Sequence, residues 1–117
     1  MAMKTVWFDF ENTRDTPVEL VMEPWGMPYT VQPGGRLDIA CEGPEEGELQ
    51  VKRQAEGHVT LFAWAGATYR VLEGGKEVDS NDLPVPGLPP GLSTKQFVET
   101  LFGSVEQRRA MRDEPED

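Results

Sequence analysis

The chain has one cysteine and one histidine in 117 residues. A single Cys excludes an intrachain disulfide framework and every multi-cysteine zinc site. A single His excludes multi-histidine metal centres, and blue copper with them, because that site takes two His beside its Cys. Basic residues are also scarce: 11 Lys and Arg against 21 Asp and Glu give a formal charge of −10. Phosphate backbones are held by clustered Lys and Arg, so a field of this sign argues against nucleic acid and against an anionic membrane surface. No apolar run approaches the roughly 20 residues of a membrane span, and Met1-Ala-Met-Lys-Thr5 lacks the apolar stretch of a signal peptide. A cytoplasmic protein is therefore expected. Gly-x-Ser-x-Gly, the phosphate-binding loop and the dinucleotide fingerprint are absent too.

What is present is one domain's worth of chain with 38% hydrophobic residues, enough for a core without staples. The acidity is spread through its body: residues 1–79 carry −7, residues 80–105 carry −1 and residues 106–117 carry −2. Such a surface keeps a protein soluble, and it also steers towards a basic partner. The densest acidic stretch, Glu42-Gly-Pro-Glu45-Glu46-Gly-Glu48, is the expected centre of that steering. It reads equally as a solvated turn.

Residues 1–79 alternate short apolar segments with turn clusters, as an all-β domain does. In Lys4–Phe10, Val6, Phe8 and Phe10 share one face. Val18, Leu20 and Met22 do so in the next segment, and Leu37, Ile39 and Cys41 in a later one. Pro24-Trp25-Gly26-Met27-Pro28 interrupts the pattern, and Pro33-Gly34-Gly35 marks a turn. Glu48–Arg53 follows, then His58–Ala65, which is apolar on both faces and reads as a central strand. Thr68–Leu72 and Glu77-Val78 flank a Gly74-Gly75 hairpin turn. Seven or eight short strands at this spacing predict an antiparallel β-sandwich. Residues 80–92, rich in Pro and Gly, predict an extended strap pinned by Leu83, Val85, Leu88 and Leu92. Ser93-Thr-Lys-Gln96 has the form of a helix capping box, and Phe97, Val98, Leu101, Phe102 and Val105 make one apolar stripe. A helix over 93–112, docked on Phe62 and Trp64 of the sandwich, is the expectation. Ser104–Gln107 repeats the capping form, and 113–117 reads as an acidic tail. A helix docked on a neighbour instead would make the chain self-associate.

Cys41 and His58 are the one nucleophile–base pair available, but Cys41 is in phase with buried positions and His58 opens a strand beside a turn. The acidic stretch lacks the spacing of a calcium loop. No cofactor or metal is expected, and no catalytic activity. The aromatics carry the remaining signal. Trp7 and Trp64 lie opposite their strands' main apolar sets, and Trp25 shares a Pro/Gly-rich loop with Tyr29. Flat aromatics on a rigid β scaffold suit a protein hot spot or a sugar ring.

Phe10-Glu-Asn12-Thr-x-x-Thr-Pro17-Val18 followed by Tyr29-x-Val31-x-Pro33-Gly34 resembles the first strands of immunoglobulin-like sandwich domains. The resemblance covers about 30 residues, implies an immunoglobulin-like fold and implies no activity. Together these features point to a non-enzymatic module of the inhibitor, immunity or accessory-subunit kind, binding a basic protein. Trp25 and Tyr29 are its expected contacts and Glu42, Glu45, Glu46 and Glu48 its steering set. The alternative is a small-ligand or carbohydrate module with Trp25, Tyr29 and Trp64 as its platform.

Overall fold

A computed structural model describes residues 2–54, 57–87 and 93–102. Among these, eight strands and one helix follow in the order β1 (Met3–Glu11), β2 (Val18–Glu23), β3 (Met27–Val31), β4 (Arg36–Pro44), β5 (Gln50–Gln54), β6 (His58–Phe62), β7 (Thr68–Glu73), β8 (Lys76–Asn81) and α1 (Thr94–Phe102). They form two four-stranded sheets, β1-β4-β7-β8 and β3-β2-β6-β5. The core lies between the sheets. Leu37, Ile39, Cys41, Tyr69 and Val71 of the first sheet meet Val18, Leu20, Met22, Val31, Val59 and Leu61 of the second. These are the period-two positions that the alternation predicts.

The strand order departs from the immunoglobulin arrangement, in which the first two strands are neighbours in one sheet. Here β1 and β2 belong to opposite sheets, and β2 pairs with β6 in parallel. The cause sits at Asn12, which is buried. Its Nδ2 donates to the carbonyls of Thr16 and Val31, both at 2.9 Å, and its Oδ1 accepts from the Arg14 amide. Its backbone bonds Gly34 and Gly35 of the β3–β4 turn. The chain is thereby led across the end of the sandwich to the other sheet, and no first hairpin forms.

Several boundaries differ from the sequence expectation, among them β8, which runs to Asn81 and so takes in the first two residues of the expected strap. The β4 strand continues through Glu42, Gly43 and Pro44, because these residues stay in register with Thr5, Lys4 and Met3 of β1. Pro28 lies within β3, where an edge position tolerates the missing N–H. The β6 strand stops at Phe62, so Trp64 leaves the ladder and turns inward.

The capping box forms as spelled: Gln96 N donates to Ser93 Oγ at 3.1 Å, and Ser93 N to Gln96 Oε1 at 2.9 Å. The helix covers the outer face of the second sheet. Val98 packs on Phe62, both fully buried, and Glu99 reaches Lys52 of β5 at 3.3 Å. Of the strap residues, Val85 is buried and exchanges backbone bonds with Gly66 and Ala67, whereas the Leu83 side chain is 70% exposed. The anticipated contacts of Leu88, Leu92, Leu101 and Phe102, the Ser104–Gln107 form and the 113–117 tail lie outside the described residues and side chains. Among the described residues no helix is long and apolar enough to cross a membrane.

Candidate functional site

The β2–β3 turn, the β4–β5 loop, the β6–β7 loop and the start of the strap all gather at one end of the sandwich. Hydrogen bonds tie them together. Trp25 Nε1 donates to the Leu83 carbonyl and Trp64 Nε1 to the Pro44 carbonyl, each at 2.8 Å. This end therefore brings the acidic stretch and the Trp25 turn together, as two parts of one region.

Their roles differ from the sequence expectation, however. Trp25 and Tyr29 are half-buried and packed against the core. The Trp25 ring meets Tyr69 edge-on at 4.8 Å between centroids, and Tyr29 meets Tyr69 at 6.2 Å. The Tyr29 hydroxyl donates to Asp79 Oδ2 at 2.6 Å and shares a 2.7 Å bond with the Tyr69 hydroxyl. Burial raises the Tyr29 phenol far above its ordinary value, and the bonds to Asp79 and Tyr69 push the same way. Tyr29 thus braces β3 against β7 and β8, and Trp25 ties the β2–β3 turn to β7 and to the segment after β8. Trp64 is only 5% exposed, so no three-aromatic platform exists for a sugar.

Trp64 also explains two glycines of the acidic stretch. A Cβ at Gly47 would overlap the indole ring, and one at Gly43 would come within 2.8 Å of both Nε1 and the Ala67 backbone. Lys4 lies over the Trp64 ring, its Nζ 5.5 Å from the centroid. The Glu42–Glu48 stretch is therefore a strand end and a packed loop, with Glu42, Glu45, Glu46 and Glu48 projecting from it exposed. The backbone N–H of Glu45 bonds the Ala2 carbonyl, which holds the loop beside the start of β1.

Among the described residues the outer face of the first sheet is open. Thr5, Trp7, Asp9 and Glu11 of β1 lie opposite Glu42, Ala40, Asp38 and Arg36 of β4 on that face. Trp7 is 51% exposed. Asp9 and Asp38 face each other directly, a repulsive pairing in a ladder. Arg36 relieves it, 3.0 Å from Asp38 and 3.9 Å from Asp9. The bond to Asp38 raises the Arg36 guanidinium further above its ordinary value. On β7 the same face carries exposed Arg70 beside Ala40, so its acids fall into two groups, Asp9, Glu11 and Asp38 around Arg36, and Glu42 with Glu45 and Glu46 of the adjoining loop. Sequence periodicity places Trp7 on this face and favours its cover by the C-terminal helix or strap; Trp7 stays exposed instead, because the helix seats on Phe62 of the other sheet.

The remaining candidates for chemistry are kept apart. Cys41 faces the inter-sheet core, where burial pushes its thiol up to about 12. His58 stands on the opposite sheet, its Nδ1 3.5 Å from Glu19 Oε1. No Cys–His dyad forms. Among the described residues no three His, Cys, Asp or Glu side chains converge as a metal would require. A hollow of about 290 Å³ opens between Phe10, Asn12, Arg14, Arg53 and Val59, but Asn12 is spent on backbone partners and Arg53 lies over Phe8. No family model matches the chain, and neither a curated protein nor a solved structure does.

Proposed function

We propose that the protein is a non-enzymatic interaction module that takes a basic protein partner on its open acidic surface. One observation carries the reading. The helix covers the outer face of one sheet, while among the described residues the outer face of the other is exposed, with Asp9, Glu11, Asp38 and Glu42 outnumbering Arg36 and Arg70 on its β1, β4 and β7 strands and the loop bearing Glu45, Glu46 and Glu48 adjoining it. Charges so arranged steer encounter and select partner sign more than they add raw affinity. Trp25 and Tyr29 act behind the surface, holding the end of the sandwich on which the acidic loop rests. A cytoplasmic setting goes with the reading, in keeping with a lone buried thiol.

The test is capture from native extract on immobilised protein, eluted stepwise with salt, beside a Glu42→Lys/Glu45→Lys/Glu46→Lys variant. A basic protein retained by the wild type, released by moderate salt and lost to the variant is the expected result. With the purified partner, the variant should associate at least about tenfold more slowly at low ionic strength. Equal retention by both proteins, or no basic protein on either, overturns the proposal.

A further inference from the structure

Four strand edges bound the two sheets, and three of them carry a feature that discourages pairing with another chain. On one, β3, five residues long, Pro28 interrupts the row of N–H donors. Another, β5, is equally short and carries Lys52 and Arg53 side by side. The third, β8, has an irregular register against β7 between Val71 and Leu72. The β1 edge has neither the interruption nor the shortness, and its one cation, Lys4, is engaged over the Trp64 ring. It runs nine residues, Met3–Glu11, without Pro, Gly or a break in its register with β4. Its side chains alternate strictly, Val6, Phe8 and Phe10 half-buried towards the core and Met3, Thr5, Trp7, Asp9 and Glu11 outward.

We propose that two copies of the chain pair edge to edge through β1, antiparallel and centred on Trp7, to make one eight-stranded sheet. The sequence of β1 is self-complementary in that register. On the outer face Trp7 meets Trp7 of the second copy, Thr5 meets Asp9, and Met3 meets Glu11. On the inner face Val6 meets Phe8 and Lys4 meets Phe10. No two like charges oppose each other, and all nine residues are paired. Centring instead on Asp9 would set two carboxylates face to face and shorten the overlap. The half-buried Val6, Phe8 and Phe10 would gain cover from their counterparts, and the unpaired main-chain groups of the edge would gain hydrogen bonds. Each copy carries −10, so the dimer tightens as salt screens the two bodies from each other.

Sedimentation equilibrium of the intact chain over a wide concentration range tests this at 0.15 M and 0.5 M NaCl. The wild type is expected to dimerise, more tightly at the higher salt. Trp7→Lys, at an exposed position that leaves the fold intact by circular dichroism, sets two ammonium groups opposite each other and should give a monomer. Thr5→Lys faces Asp9 of the second copy twice in the symmetric dimer, and should lower the dissociation constant about twofold to tenfold. Thr5→Asp should raise it by a similar factor. A monomeric wild type overturns the proposal, as does a dimer indifferent to Trp7→Lys. Thr5 variants ranking in the opposite order overturn the register. Association through the helix would show as a dimer that none of these substitutions moves, which also overturns it.

Discussion

At Asn12 the chain passes from one sheet to the other, and its side chain satisfies two backbone carbonyls and one backbone amide. An alanine there would leave the Val31 carbonyl buried without its donor, and the Thr16 carbonyl and Arg14 amide partly so. Unmet buried groups cost about 1–3 kcal/mol each, less where water enters. Asn12→Ala should therefore destabilise the fold by about 2–4 kcal/mol, read as a lowered urea midpoint at unchanged m-value. Asn12→Asp keeps the acceptor but loses both donors and sets a carboxylate against carbonyls, so it should cost at least as much. In sequence Asn12 looks like the start of a turn. Its role rests on partners 19 and 23 residues away, and local pattern carries no trace of them. Gly43 and Gly47 were hidden for the same reason: among glutamates they read as turn residues, while in space they make room for Trp64.

Elements were far more legible than their pairings. Alternation located most strand cores within a residue or two, because burial on one face of a sheet writes a period of two into the chain. It could not say which strands are neighbours, since any inward-facing set satisfies the same pattern. The helix shows the same division. Its start was spelled by Ser93 and Gln96, whereas its seat on Phe62 came through Val98, with Trp64 drawn into the core instead. A carboxylate at position 98 cannot share that buried contact. Val98→Asp should release α1 from the second sheet while the sandwich persists. Hydrogen exchange would then show the amides of residues 97–100 losing protection and those of β6 keeping it. Loss of protection in both would mean that the helix and sheet unfold as one unit. Lys95 on the same helix, and after it Lys52 of β5, hold the Glu99 carboxyl below its ordinary range against the opposing effect of burial, so the Lys52 pair favours the docked helix above the usual carboxylate range and is lost as pH falls below it.

The whole molecule sets a strongly acidic surface around an interior that holds three weak acids in their neutral form. Burial raises Cys41 to about 12 and raises both Tyr29 and Tyr69 above their ordinary values. Unfolded, a thiol ionises near about 8.5 and a phenol near about 10. Below those values both states keep the proton and the contribution to stability is complete. Above them the unfolded chain releases protons that the folded chain retains, so stability is lost as pH rises towards the folded values. Each group steepens the fall by up to about 1.4 kcal/mol per pH unit. Cys41 should act first, from about pH 8.5 up towards its folded value of about 12, and the two tyrosines join it above about pH 10. Surface repulsion also grows with pH, but salt screens it and leaves the interior groups untouched. Urea stability measured against pH in 0.5 M NaCl should consequently keep its alkaline decline. Cys41→Ala should flatten the stretch from about pH 8.5 to 10, and Tyr29→Phe should make the stretch above it shallower, Tyr69 and Cys41 still contributing there. If high salt alone abolished the decline, surface charge and not the buried acids would govern it. The expected persistence places the source of the decline in the buried thiol and phenols and not in the −10 charge of the chain.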